Sequence, residues 1–127
     1  IADSAELTVR GHCYDALVGI AGCDKSLPGL MRSMVRLNVP SVFISGGSIL
    51  PGKFKGKDVT VVDVYEGVGM HEAGKMTDEE LEELELNACP SAGACGGQFT
   101  ANTMSCVSES IGLDFRYCSG ATSPFDY

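Results

Sequence analysis

Basic residues are scarce in this chain. Nine lysines and arginines stand against 17 aspartates and glutamates, a formal charge of -8, and no stretch gathers the cations into a stripe. Nucleic acid and anionic membrane surfaces need such a stripe to displace counterions, so neither is expected as a partner, and a small molecule is. Long apolar runs are also missing, since none approaches the roughly 18 to 20 residues of a membrane span. The opening Ile1-Ala2-Asp3-Ser4-Ala5-Glu6 has neither the basic nor the apolar region of a signal peptide, so a cytoplasmic protein is expected. An initiator methionine is lacking and the first residue already falls in a helix-like pattern, so the chain reads as a piece of a longer one. No internal repeat, low-complexity segment or linker divides it.

What is present suffices for one domain. The 127 residues are 44% hydrophobic and 20% charged, ordinary values for a chain that buries a sizeable core. Six cysteines, Cys13, Cys23, Cys89, Cys95, Cys106 and Cys118, form an even set. Without an export signal a reducing compartment is expected, where clustered cysteines more often bind metal or do chemistry than pair. There is no C-x2-C pair, only Cys89-x5-Cys95, which argues against a zinc ribbon or finger.

The apolar patterning predicts an α/β fold, a parallel sheet flanked by helices in three α/β/α layers. Ala2 to His12 reads as a weakly amphipathic helix with Ala5 and Val9 on one face. Asp15 to Ile20 reads as a buried parallel strand that delivers Cys23 at its end. A helix follows, with Ser26 placed to cap it and Pro28 in its first turn; Leu27, Leu30, Met31, Met34 and Val35 recur on one face, Arg32 and Arg36 on the other. Asn38-Val39-Pro40 ends that helix and Ser41 to Ile44 makes a second strand, so the unit is a right-handed parallel crossover. Lys53 to Lys57 is a basic, hairpin-like excursion, read as a solvated loop before an anion site. A helix is expected from Val61 or Asp63 to about Gly74. Thr77-Asp78-Glu79-Glu80 is a capping box opening an acidic helix with Leu81, Leu84 and Leu86 partly inward. Gln98 to Ile111 completes the pattern, with Ala101, Met104, Val107, Ser108 and Ile111 on one side.

Chemistry concentrates in two loops. Gly22-Cys23-Asp24-Lys25-Ser26 follows the first strand, and Cys89 to Gly97 precedes the last helix. Cys23 and Cys95 each stand just ahead of a helix in this reading, where N–H groups and the helix dipole favour a thiolate. Thiolates select iron-sulfur clusters, zinc or Cu(I), while the oxygen of Asp24 suits Mg2+. The competing interpretation makes Cys23 a small buried residue, Asp24 a helix cap and Lys25 a surface cation. Residue pattern leaves both open. If the two cysteines serve one site, their loops must meet at the carboxyl edge of the sheet, with Asp24 and Lys25 facing the Gly46-Gly47 loop.

Four stretches in order carry a resemblance. Gly22 to Gly29 (GCDKSLPG), Arg36 to Phe43 (RLNVPSVF), Gly46 to Gly52 (GGSILPG) and Cys89 to Met104 (CPSAGACGGQFTANTM) resemble the N-terminal domain of the dihydroxyacid and 6-phosphogluconate dehydratase family. The resemblance runs from residue 1 to about Leu113; residues 114–127, with Cys118, read as a divergent tail or truncation end. It implies a partial N-terminal domain of a larger hydro-lyase that is a homodimer when whole. It implies an iron-sulfur cluster, 2Fe-2S in preference to 4Fe-4S, held by three cysteines of which the second and third match Cys23 and Cys95; Cys89 is then a neighbour. It implies Mg2+ held partly by the residues matching Asp24 and Lys25, the lysine carboxylated on its amine, which a helix N-terminus would favour by opposing an ammonium. The implied reaction dehydrates a 2,3-dihydroxy acid to a 2-keto acid in branched-chain amino-acid (isoleucine and valine) biosynthesis. A serine base in a C-terminal domain, the first cluster cysteine and two further metal carboxylates match nothing in this chain, so it should be catalytically incomplete. A sugar-acid or 6-phosphogluconate dehydratase, or a non-catalytic α/β module binding a metal or anion, are the alternatives.

Overall fold

A computed structural model describes residues 1–120. In chain order the elements are α1 (Ala2–Gly11), β1 (Leu17–Ala21), α2 (Ser26–Leu37), β2 (Ser41–Ser45), β3 (Gly52–Phe54), β4 (Lys57–Val59), α3 (Val61–Glu72), α4 (Asp78–Asn87) and α5 (Thr100–Ser110). β1 and β2 pair in parallel with Leu17 opposite Ser41 and Ala21 opposite Ser45. The expected strand of residues 15–20 is therefore shifted toward Ala21, because pairing with β2 sets its limits. The chain returns to this sheet after α5: Phe43 N–H donates to the Leu113 carbonyl (3.2 Å), and Phe43 and Asp114 form a parallel bridge. Residue 114, the start of the expected tail, thus lies beside β2, while residues 121–127 of that tail fall outside the described residues.

One face of the sheet carries the main core. Ala21 and Phe43 meet Leu27, Met31 and Met34 of α2 and Ala101 of α5, with Leu30, Cys95, Met104 and Leu113 packed around them. Asn38 adopts the left-handed conformation at φ 52° and stops α2, as the Asn-Val-Pro spelling anticipates. Ser26 departs from expectation. It is the first helical residue, Lys25 occupies the cap, and the Ser26 hydroxyl accepts from Cys23 N–H and donates to Cys23 O (both 3.1 Å). Val35, expected inside, is exposed, and Ser33 is buried with its hydroxyl bonded to Leu30 O (2.8 Å). The opposite face of the sheet, with Val18, Ile20 and Val42, is exposed among the described residues. β1 is thus buried on one side only, and of the three layers anticipated two are built here.

The β3–β4 hairpin is antiparallel and seats a second, smaller core: Val59, Leu84 and Ala88, with Phe54, Val64 and Met76 around them. Lys55 pairs with Glu80 and Lys53 with Asp58, so two of the three lysines of the basic excursion are in ion pairs. Both α3 and α4 open with a reciprocal capping box, Thr60 with Asp63 and Thr77 with Glu80. Leu86 of α4, Val107 of α5 and Ile111 at its C-terminal cap are exposed rather than inward. α5 begins at Thr100, two residues later than expected, and its inner side is Ala101, Asn102, Ser105 and Ser108.

Glu109 fastens the segment that follows α5. Its carboxylate accepts from Ser119 Oγ, from Tyr117 N–H (2.8 Å) and from Ser119 N–H (3.1 Å), and these bonds hold the Glu109 carboxyl below its ordinary 4.5. A carboxyl depressed on folding contributes stability that is complete above the unfolded value and is lost as pH falls through the folded one. Glu109→Gln is therefore expected to lower the urea midpoint at neutral pH, with the gap from the parent chain closing as the solution is acidified below 4.5. A gap constant with pH would show that ionised Glu109 contributes nothing specific.

Candidate cluster and metal site

Three loops converge at the carboxyl edge of β1 and β2. Gly46 N–H donates to Ala21 O (3.1 Å), tying the ends of the two strands. The loop between α4 and α5 then lies along residues 47–50: Ala94 N–H donates to Gly47 O (2.7 Å), Ile49 N–H to Cys95 O (3.2 Å), and Leu50 N–H to Ser91 Oγ (2.8 Å). Ser48 and Cys95 form a parallel bridge. The Ala94 methyl sits against both glycine-bearing loops, since a Cβ placed on Gly46 would stand 3.0 Å from Ala94 Cβ and one on Gly22 3.4 Å from it. Cys23 and Cys95 are the residues directly after Gly22 and Ala94, so the fold brings these two predicted positions to one edge.

Their surroundings differ. Cys23 is exposed, its carbonyl receives Leu27 N–H (3.1 Å), and its thiol lies 3.7 Å from Asp24 Oδ1. Cys95 is half-buried against the main core. It is not just ahead of a helix, as expected, because α5 starts five positions later at Thr100, beyond the single turn over which a helix end acts. Asn102, the third residue of α5, reaches back instead: Nδ2 donates to Cys95 O (3.0 Å) and Gly97 O (2.8 Å). Cys89 is exposed, and Cys106 lies on α5 with Gln98 Nε2 at 3.7 Å from its sulfur. Cys13, Cys23, Cys89, Cys95 and Cys106 are free of disulfides.

Lys25 corrects a second expectation. Its ammonium is not disfavoured at the head of α2, because Lys25 Nζ donates to Asp24 Oδ2 at 2.9 Å. That hydrogen bond and the charge of Asp24 raise the Lys25 pKa, while the same hydrogen bond lowers that of Asp24. A contact between neighbouring opposite charges outweighs the diffuse field of a helix end. The pair lines a groove of about 530 Å3 bounded by Ile1, Pro28, Arg32 and Arg36, on the α1–α2 side rather than along Gly46-Gly47.

The donor chemistry suits part of a cluster site and part of a hard-cation site. Two thiols come from adjoining loops, and a carboxylate adjoins one of them. No group of three metal-ligating side chains assembles among the described residues. Nothing in the sequence pattern singles out Ala94, Ser91 or Asn102; the one available signal for Asn102 is a poor helix former in a first turn, directly after a glycine-rich loop.

Parallel strands that end in a glycine-lined, thiol-bearing edge make an α/β module with its candidate site where such folds bind ligands, and sequence comparison supplies the family. The model of the family described as dihydroxy-acid/6-phosphogluconate dehydratase N-terminal matches residues 1–125, and the chain belongs to that family. It is 77% identical over 126 residues to a dihydroxy-acid dehydratase of Pelagibacter ubique (strain HTCC1062), and 75% identical over 126 residues to one of Parvibaculum lavamentivorans; each alignment covers 99% of this chain and 22% of the relative. A dihydroxy-acid dehydratase of Natronomonas pharaonis is 58% identical over 113 residues, 89% of this chain and 19% of the relative. The chain thus spans about a fifth of the length of the curated relatives it matches. No helix among the described residues is long and apolar enough to cross a membrane.

The Gly46–Ala94 contact yields a test of how the loops are held. Gly46→Ala should destabilise the chain by about 1–3 kcal/mol through overpacking. Ala94→Gly in the same molecule should recover part of that loss, a coupling of roughly 0.5–3 kcal/mol in a double-mutant cycle. Additive urea midpoints would show that the two loops do not press on one another.

Proposed function

We propose that this chain supplies two cysteine ligands of an iron-sulfur cluster and part of a Mg2+ site to a hydro-lyase that dehydrates 2,3-dihydroxy acids to 2-keto acids. The observation that carries the reading is the convergence of the Gly22-Cys23 and Ala94-Cys95 loops on the Ala94 methyl, at the sheet edge where α/β folds bind ligands. Membership of the dehydratase family supports the reaction class. The relatives quoted above are named dihydroxy-acid dehydratases, which favours a dihydroxy acid over a sugar acid. A branched-chain biosynthetic role, a 2Fe-2S cluster and a homodimeric whole enzyme belong to the same proposal.

In this reading the Cys23 and Cys95 thiolates hold the cluster and Asp24 gives an oxygen to the divalent cation. Bound there, cluster and Mg2+ supply Lewis acidity toward the departing hydroxyl and toward the substrate carboxylate. Asp24 would hold the cation in place of its ion pair with Lys25. Lys25 would then lose one proton to solvent from its ammonium and a second as its amine takes up CO2, leaving an anionic carbamate as a second oxygen donor beside Asp24. Residues outside this chain complete both ligand sets and remove the C2 proton.

The direct test places this chain in a whole enzyme, the Pelagibacter ubique relative with its matching 126 residues exchanged for those of this chain. Cys23→Ser and Cys95→Ser should each abolish iron and sulfide incorporation and the visible absorption, whereas Cys106→Ser should leave them intact. Equal loss at Cys106 would overturn the ligand choice. The 127-residue chain alone should form no 2-keto acid from 2,3-dihydroxy acids even with iron, sulfide and Mg2+ supplied, because the serine base that the family resemblance implies for the C2 proton matches no residue in it. Turnover by the purified chain would refute this division of the site.

A further inference from the structure

We propose that Asn102 is the positioning residue for Cys95, fixing the backbone from which that thiol reaches the cluster; the proposal rests on Cys95 being a ligand. Asn102 is only 6% exposed, so little water reaches its side chain to replace a lost bond. A carboxamide has two N–H donors, and Asn102 Nδ2 places them on two carbonyls, Cys95 O at 3.0 Å and Gly97 O at 2.8 Å. Cys95 O also receives Ile49 N–H at 3.2 Å, so both of its lone pairs are engaged.

Upstream of the thiol, the backbone is zipped to residues 47–50. Downstream, residues 95–99 belong to no helix or strand, and Gly96-Gly97 gives them wide conformational freedom. The amide of Asn102 bridges this downstream half and anchors it to the first turn of α5, which is packed into the main core through Ala101. Partners of this outer kind commonly govern metal affinity by about 10–100-fold, because a ligand held loosely spends little time at bonding distance. Asparagine is a poor helix former, so its place in a buried first turn is explained by these two bonds rather than by propensity.

Two substitutions separate hydrogen bonding from bulk. Asn102→Ala removes the amide; Asn102→Asp keeps the shape but faces two carbonyl oxygens with oxygen. Ser105→Ala is the control. It breaks another buried bond of the same helix, Ser105 Oγ to Ser45 Oγ at 2.6 Å, without touching the Cys95 loop.

The first readout is cysteine alkylation by iodoacetamide in the 127-residue chain, resolved by peptide mass spectrometry. Both Asn102 variants should speed labelling of Cys95 about tenfold relative to Cys89, as expected for losing two buried hydrogen bonds, while Ser105→Ala leaves that ratio unchanged. The second readout is the lifetime of the visible cluster absorption under an iron chelator in the whole-enzyme exchange described above, which both Asn102 variants should shorten by about 10–100-fold. An unchanged Cys95 ratio, an equal rise in Ser105→Ala, or a uniform rise at all six cysteines in both Asn102 variants overturns the positioning role. Loss of iron in Cys95→Ser with wild-type labelling and cluster lifetime in both Asn102 variants would refute this proposal alone; iron retained in Cys95→Ser would refute the ligand assignment on which it rests.

Discussion

A single methyl group, that of Ala94, sets how closely the loop before α5 approaches the ends of β1 and β2. It rests against two residues that have no side chain, Gly22 and Gly46, and this close approach lets the backbone bonds from Ala94 to Gly47 and from Ile49 to Cys95 form. A bulkier residue at any of the three positions would hold the loops apart by more than hydrogen-bonding distance allows. The glycines around the site are therefore spacers between backbones that must touch. Their effect is to bring two cysteines, far apart in the chain, to neighbouring loops.

The parts of the fold legible in sequence are those dictated locally. The buried face of α2, through Leu27, Met31 and Met34, follows from spacing, and its end follows from Asn38, which adopts the left-handed turn. The crossover from β1 to β2 and the capping box of Thr77 and Glu80 are likewise written in a few adjacent residues. Less legible is the width of each buried stripe. Val35, Leu86, Val107 and Ile111 have the right period to be inside, yet they are exposed, because burial depends on how much neighbouring structure there is to cover a face.

The site divides along the same line. That Cys23 and Cys95 stand on neighbouring loops is expected only on the condition that they serve one site, because the Cys95 loop lies between two helices and strand order does not place it. The state of Lys25 is not, because its adjacent Asp24 carboxylate sits within hydrogen-bond distance and decides its charge. The role of Asn102 is hidden for a related reason: its partners, the carbonyls of Cys95 and Gly97, are backbone groups with no signature in the residue alphabet. What the described residues bring together is sulfur on two loops and one carboxylate beside them, in a chain that spans about a fifth of its relatives.

The exposed sheet face has a calorimetric meaning. Val18 and Ile20 are largely, and Val42 partly, in contact with water in the folded chain, so unfolding newly hydrates less of their surface than a covered sheet face would offer. The heat-capacity increment of unfolding tracks newly exposed apolar surface, typically about 12–15 cal/mol/K per residue, and should fall below that figure for this chain. A smaller increment flattens the curve of stability against temperature, and the denaturant slope, which reports the same surface, becomes shallower with it.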